Sequence, residues 1–259
     1  MFARLFRATA LCVVASAMLP VAAMADIIIV GSSVPKLKVG DVVADNAVLD
    51  IPAAARVRVI LPSGRTREIA GPFKGKVRDI TNGEAGDASF WNDIKRVVTS
   101  QKRADESVVG AVRSVAPASH GKNARRYVRP APEKSGPRFS WRAVSIDADG
   151  DVCIEKAAPL TLVRGQAGRP ESVTIVNRQS QKRAIAEFGV GSATAAWPRT
   201  LAVDVGLYAV VLADGTKRSL RLRPISPLPA ADDTLRVLHG QRCLKQVEAW
   251  ISGLITASR

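Results

Sequence analysis

Three aspartates and a cysteine lie within seven positions of the chain, in the stretch DADGDVC at residues 147–153. Carboxylates at alternate positions, here Asp147, Asp149 and Asp151, are typical of calcium loops, and a pair of carboxylates can also supply the acid and the base of a glycosidase. The same residues can instead form a tight turn that leads into a strand at Cys153. The surrounding sequence decides between these three interpretations.

A calcium loop of the EF-hand type needs more than alternating aspartates. It carries glycine at its sixth position and a bidentate glutamate at its twelfth, and a helix flanks it on each side. Counted from Asp147, glycine stands at the fourth position and Ala158 at the twelfth, between strand-like segments. We therefore expect no bound metal, and we interpret Asp149-Gly150 as a polar hairpin turn whose acidic side chains point to solvent.

The three aspartates remain the candidates for an alternative function, a carboxylate-dependent enzyme that acts on envelope glycans. Such chemistry requires one carboxyl to be desolvated so that its pKa rises, which an exposed turn does not favour. No other catalytic pattern accompanies them, because the two histidines, His120 and His239, occur without a G-x-S-x-G elbow. The sequence therefore favours a non-enzymatic protein without a cofactor.

A second glycine-containing stretch, FGVGSATAAWP at residues 188–198, resembles part of a nucleotide-binding motif. Gly189-x-Gly191 after a strand is the start of a dinucleotide-binding turn, but Thr194 stands where that motif has its third glycine. Pro198 leaves no room for the long helix that would follow. We expect a loop between strands.

The first 25 residues have the pattern of a secretory signal peptide. Arg4 and Arg7 precede an apolar run, and Ala23-Met24-Ala25 provides a small-residue cleavage site. The apolar run is short for a membrane span, which needs about 20 apolar residues. We expect cleavage after Ala25, a periplasmic location and no transmembrane segment thereafter, and removal of the two arginines lowers the formal net charge from +15 to +13.

Cys153 and Cys243 are the cysteines that remain after this cleavage. The oxidising compartment favours a disulfide between them, which would close a loop of about 90 residues and stabilise the fold by roughly 4 kcal/mol on the chain-entropy model. Two buried free thiols are the alternative.

Short alternating segments with turn signals between them predict a mainly β protein made of two small antiparallel β modules. Hairpins are expected at Pro62-Ser63-Gly64 and at Asp214-Gly215. The predicted order is a signal peptide (1–25), a β module (26–86), a helix with a basic Pro/Gly-containing linker (87–138), and a sandwich-like β domain with C-terminal helices (139–259).

Helical spacing of apolar residues appears in two places. One stripe predicts a packing face on a helix over residues 89–102, and the other a face on a C-terminal helix that begins near Cys243. A bridge between Cys153 and Cys243 would therefore fasten this helix to an early strand of the same domain. The two stripes are Phe90, Ile94, Val97 and Val98, and Leu244, Val247, Ile251 and Leu254.

Positive charge is concentrated in residues 95–138, where eleven Lys or Arg face three acidic residues. Arg125, Arg126 and Arg129 are our candidates for contact with an anionic envelope surface. A solvated flexible spacer is the alternative. We expect no nucleic acid as partner, because the segment has few aromatic side chains on which bases could stack.

The stretch LKVGDVVADNAVLDIPAAARVRVILPSGRTREIAG at residues 37–71 resembles the FecR-like periplasmic module. The resemblance rests on the Gly40-Asp41 turn, the Val57-x-Val59 strand and the Ser63-Gly64 hairpin loop. It implies a β module in a periplasmic sensory protein. The chain departs from full-length members of that family because a cytoplasmic anti-sigma region and a retained membrane helix are not expected.

Taken together, these patterns favour a non-enzymatic exported envelope protein that serves as a ligand-binding, sensory or assembly component. Its expected partner is an envelope protein or an anionic envelope surface.

Overall fold

The computed structural model of the chain describes residues 26–82, 84, 86–111 and 139–257, with side chains described in the second helix only up to residue 101. Strands make up 36% of the structure and helices 21%. The predicted fold class, mainly β with small antiparallel sheets and C-terminal helices, is confirmed. The expected signal peptide lies outside the described residues.

The N-terminal half forms two small antiparallel sheets, one with the strand order β2-β1-β4-β5 and one made of β3 and β6. The predicted hairpin joins β4 to β5, where the Leu61 N–H donates to the Arg65 carbonyl at 2.8 Å and Gly64 adopts a φ of 81°. The six strands are β1 (Ile27–Ser32), β2 (Val42–Val43), β3 (Val48–Ile51), β4 (Arg56–Ile60), β5 (Thr66–Ala70) and β6 (Phe73–Lys76).

Strand β1 reads as a continuous apolar run because both of its faces are covered. Ile27 and Ile29 point into a core within the N-terminal half. Ile28 and Val30 point the other way, into a core formed with the helices of the protein. Alternation of side chains along a strand thus places one strand between two cores.

Two helices follow these strands, α1 (Val77–Thr81) and α2 (Ala88–Ala111). The predicted packing face of α2 is confirmed, since Phe90, Ile94 and Val98 are buried. Its predicted end at residue 102 is wrong, because the helix continues to Ala111 through a segment we assigned to the linker. That segment, ADESVVGA, combines alanine and glutamate with weaker helix formers but has no proline, so the helix can continue although the apolar stripe has ended.

The C-terminal half is a sandwich of two sheets. A five-stranded sheet with the order β11-β10-β13-β14-β8 faces a three-stranded sheet with the order β12-β9-β7, and Tyr208 and Phe188 are among the largest side chains of the shared core. The strands are β7 (Ala143–Ser145), β8 (Gly150–Glu155), β9 (Thr161–Val163), β10 (Glu171–Asn177), β11 (Arg183–Phe188), β12 (Thr194–Ala196), β13 (Gly206–Val211) and β14 (Lys217–Ile225).

Hairpins were predicted at two Asp-Gly pairs of this half, and only one of them forms. The hairpin at Asp214-Gly215 is confirmed, since β13 and β14 pair directly across it and Gly215 has a φ of 84°. The hairpin expected at Asp149-Gly150 is wrong. There the chain crosses between the sheets, because β7 pairs in parallel with β9 while β8 pairs in parallel with β14.

The chain closes with helices α3 (Thr234–Gly240) and α4 (Leu244–Ala257). Val247 and Ile251 are buried as predicted and Leu254 is partly buried, whereas Leu244 is 45% exposed. The expectation for Leu244 is wrong because Cys243, one residue earlier, takes the inward position at the start of the helix.

A helical core joins the two halves of the protein; it comprises Ile28, Val30, Ile60, Phe90, Trp91, Ile94, Val98, Cys153, Leu235, Leu238, Cys243, Val247, Ile251 and Ile255. These residues come from strands of both halves and from α2, α3 and α4. The two predicted β modules therefore pack together through a shared apolar cluster.

A polar contact between the halves lies beside this core. The Thr66 N–H donates to the Asp232 carbonyl at 2.9 Å, and Arg65 Nη2 lies 2.7 Å from Asp232 Oδ2. The hydrogen bond from Arg65, together with its charge, lowers the pKa of the Asp232 carboxyl below its usual value of 3.8. The tip of the β4–β5 hairpin is thus fixed to the segment that precedes α3.

Ile94→Ala tests whether the two halves unfold as one unit. The side chain is 0% exposed in the helical core, so its truncation is expected to lower the free energy of unfolding by about 2–5 kcal/mol. Because the core is shared, amide hydrogen exchange should accelerate in the sandwich strand β10 as well as in β1. The exposed Asn92→Ala change on the same helix is the control, and unchanged exchange in β10 would contradict a shared unit.

The acid dependence of the Arg65–Asp232 contact can be measured directly. Because the folded-state pKa of Asp232 lies below 3.8, the ion pair stabilises the fold above that pH, and its contribution is lost as the pH falls through the folded-state pKa. Arg65→Met should raise the pKa of Asp232, measured by carboxyl NMR titration. The pKa of Asp214, which is lowered mainly by the Thr216 backbone N–H, should stay constant in the same spectra.

Candidate functional site

The three aspartates of the DADGDVC stretch are all engaged by other parts of the sandwich. Asp147 Oδ2 accepts from the Gly165 N–H at 2.6 Å, and Asp149 Oδ1 accepts from the Ser219 N–H at 2.5 Å. Asp151 Oδ2 accepts from Arg223 Nη2 at 2.8 Å. Asp147 and Asp149 are exposed as expected, whereas the expectation is wrong for Asp151, whose side chain is only 16% exposed. All three carboxylates nevertheless accept hydrogen bonds that hold the crossing between the two sheets in place.

The engaged carboxylates do not form a free acid and base pair. Asp151 is the least exposed, with 16% of its side chain accessible, and it also lies 3.7 Å from Arg221 Nε. Within the described part of the chain, no group of three His, Cys, Asp or Glu residues is arranged to hold a metal ion. The chemistry available at this stretch is structural pairing.

Cys153 and Cys243 are joined by a disulfide, with their Cα atoms 5.8 Å apart. This agrees with the predicted pairing and with the prediction that the bridge fastens the C-terminal helix to an early strand of its domain. Both cysteines are 0% exposed and lie in the helical core. The bridge thus joins β8 to the start of α4 where the two halves of the protein meet.

Gln246 reinforces the same connection through its side-chain amide. The Cys153 N–H donates to Gln246 Oε1 at 2.6 Å, and Gln246 Nε2 donates to the Cys153 carbonyl at 2.8 Å. The amide therefore pairs with the backbone of the edge strand β8 as a neighbouring strand would.

The outer face of the five-stranded sheet is the broadest candidate surface for binding. Side chains that alternate with the sandwich core point away from it, and three strands contribute apolar ones. Ile185 is 63% exposed and Leu207 is 37% exposed. We define the outer face by Arg183, Ile185 and Glu187 of β11, Thr174 and Val176 of β10, Leu207, Ala209 and Val211 of β13, and Lys217, Ser219, Arg221 and Arg223 of β14.

The register of the strands places cations at the sides of this apolar centre. Val211 lies opposite Lys217, and Leu207 lies opposite Arg221. On the other side, Val176 lies opposite Arg183. The outer face therefore has an apolar middle with basic groups on two strands that flank it.

Arg164 holds the loop that carries the two glycines of the FGVGSATAAWP stretch. Its side chain is 5% exposed, donates to the Ser192 carbonyl at 2.9 Å and pairs with Glu171 at 3.0 Å. It also lies over the Phe188 ring at 4.7 Å. The stretch is a loop between β11 and β12, as predicted, and a buried cation occupies its carbonyl groups.

Of the remaining candidate residues, the structure describes only His239. Arg125, Arg126, Arg129 and His120 lie outside the described residues. His239 Nε2 lies 3.2 Å from Asp93 Oδ2, and its ring packs edge-on against Phe90 with centroids 4.9 Å apart. This histidine joins α3 to α2. Among the described helices, none is both long enough and apolar enough to cross a membrane.

Comparisons of the chain with protein-family models, with curated proteins and with solved structures found no match.

Three features of the site were missed from the sequence. Gln246 gave no signal, since a glutamine on a helix is ordinarily a surface residue. Arg164 follows the strand PLTLV and resembled an ordinary solvent-facing end of a strand. The outer face could have been recognised from Ile185 and Leu207, because each is an apolar residue at the polar position of an alternating strand.

Gln246→Ala tests the amide contact with β8. It leaves the buried N–H and carbonyl of Cys153 without their partner, so we expect a loss of about 1–3 kcal/mol in the free energy of unfolding while the disulfide stays intact. Chemical denaturation of the oxidised protein measures this loss. Gln241→Ala, at an exposed position before Cys243, is the control, and equal stability of the two variants would contradict the role of Gln246.

Proposed function

We propose that the chain is a non-enzymatic exported envelope protein that binds another protein through the outer face of its five-stranded sheet. The observation that carries this proposal is the apolar centre of that face with basic residues beside it. Exposed apolar groups cost free energy in water, and a contiguous set of them ordinarily marks a surface that a partner covers.

The charges of the outer face indicate the chemistry of the partner. Asp151 is paired with Arg221 and Arg223, whereas Lys217 and Arg183 have no acidic partner among the described residues. A protein surface with an apolar centre and acidic groups around it is complementary to this arrangement. Glu187, on the same face, favours a protein that can match charges individually over a uniformly anionic membrane.

The size of the outer face indicates a transient contact. The four strands of the outer face lie about 4.8 Å apart and are about six residues long, which gives a face of about 15 Å by 20 Å, or on the order of 300 Å². A stable complex buries about 800 Å² on each partner. We therefore propose a weak or regulated interaction, as in a sensory or assembly component.

The compartment in this proposal comes from the sequence. The signal-peptide pattern of residues 1–25 and the FecR-like stretch of residues 37–71 support a periplasmic location. The disulfide is consistent with an oxidising compartment. Contact of Arg125, Arg126 and Arg129 with an anionic surface stays a separate prediction, which liposome binding at low and high salt would test.

Charge reversal combined with site-specific crosslinking tests the proposed surface. A photoreactive amino acid at Ile185 should yield a crosslinked protein partner in the periplasm. Lys217→Glu combined with Arg183→Glu, the two cations of the face without an acidic partner among the described residues, should reduce that product at least about tenfold, since like charges then oppose an acidic partner. Lys36→Glu combined with Lys38→Glu, which makes the same charge change in the N-terminal half, should leave it unchanged.

Three results would overturn the proposed partner. Crosslinking to lipid would favour a membrane surface, and crosslinking to a second copy of the chain would favour self-association. An undiminished product in the charge-reversed variant would show that the basic groups of the outer face do not select the partner.

A further inference from the structure

A small cavity of about 230 Å³ lies in the C-terminal half, between the end of β8, the end of β14 and the segment before β13. Its lining combines apolar groups with one cation and one anion. Ile154, Val203 and Pro224 supply apolar surface, and Lys156 and Asp204 supply the charges. The cavity is large enough for about eight water molecules, which is the volume of a small metabolite with a short side chain.

The loop that carries Asp204 is held rigidly by a buried tyrosine. The hydroxyl of Tyr208, a residue that is 0% exposed, accepts from the Asp204 N–H at 2.9 Å. The same hydroxyl lies 3.2 Å from the Asp204 carbonyl and 3.1 Å from the Ala202 carbonyl, to which it can donate. The backbone of Asp204, which lines the cavity, is therefore held in place by this hydroxyl.

The opposite wall is a tight turn at the end of β8. The Lys156 N–H donates to the Ile225 carbonyl at 3.1 Å, which fixes the start of the turn against β14. Ala157 adopts a left-handed conformation with a φ of 62°. Alanine rarely takes this conformation, and unusual backbone geometry of this kind is concentrated at binding sites. Lys156 and Asp204 thus extend from two fixed backbones.

The two charged side chains share the cavity without pairing. Neither Lys156 nor Asp204 has a side-chain hydrogen bond or ion pair within the described part of the chain, so their charged atoms are more than 4.0 Å apart. A ligand that carries one charge would match one side chain and leave the other unmatched. A ligand with both charges on a short carbon frame can match both at once.

We propose that this cavity binds a small zwitterion, an amino acid with a short apolar side chain. Its carboxylate faces Lys156, its ammonium group faces Asp204, and its side chain lies on the apolar surface of Ile154, Val203 and Pro224. Because both charged residues are exposed at the cavity mouth, salt and water screen the contacts. The expected dissociation constant is therefore on the order of 1 mM.

Titration of the oxidised full chain with L-valine, followed by ¹H–¹⁵N NMR, tests the proposal. Saturable shifts are expected at the amides of Ala157 and Val205, which line the cavity. Isovalerate lacks the ammonium group and isobutylamine lacks the carboxylate, and each should bind at least about fivefold more weakly because one charged side chain is left unmatched.

Matched variants separate the site from general charge effects. Lys156→Met and Asp204→Asn should each weaken valine binding at least about fivefold while thermal stability is kept, because neither side chain has a structural partner. Lys182→Met, at an exposed position before β11, should bind as the parent does. The proposal is overturned if valine produces no saturable shift, if isovalerate binds as well as valine, or if Lys156→Met has no effect.

Discussion

The backbone of Cys153 is the point on which the arrangement of the whole molecule depends. Its sulfur is bonded to Cys243 at the start of α4, and its N–H and carbonyl are both taken by the amide of Gln246, one helical turn further on. A covalent bond and two hydrogen bonds thus join one residue of an edge strand to one helix. Because α4 also packs against β1 and α2, this connection brings the N-terminal strands and the sandwich onto the same core.

That connection also explains which part of the five-stranded sheet stays open. Helix α4 covers the sheet on the side of β8, where Cys153 belongs to the helical core rather than to the sandwich core. The described helices do not extend over β10, β11 and β13, so the apolar residues of these strands remain on the surface. The same bridge that stabilises the fold therefore leaves the outer face available for a partner.

Local sequence signals predicted much of the fold, and contacts between distant residues account for most of what they missed. The β13–β14 hairpin was predictable because the Asp214-Gly215 turn determines it within a few residues. The disulfide was predictable because the expected cleavage leaves two cysteines, for which the expected oxidising compartment favours the one possible pairing. By contrast, the parallel pairing of β8 with β14 places Asp151 beside Arg221, 70 positions away in the sequence. No short sequence pattern predicts a pairing over that distance.

The same holds for the candidate site: the sequence indicates its residues, and only the fold shows their partners. The aspartates of DADGDVC were candidates for metal binding or catalysis because of their spacing. Their hydrogen-bond partners Gly165, Ser219 and Arg223 are known only from the fold. The exposed state of Ile185 depends on the absence of a covering helix, which alternation within one strand does not report.

The distribution of charge supports the proposed binding role. Many acidic side chains in the described part of the chain pair with cations of the same molecule, as Asp151, Asp232 and Glu155 do with arginine. With 38 basic and 23 acidic residues, pairing of the acids leaves an excess of cations that the fold itself does not neutralise. These unpaired cations repel one another, so an acidic partner that covers them gains more free energy than its direct contacts alone would provide.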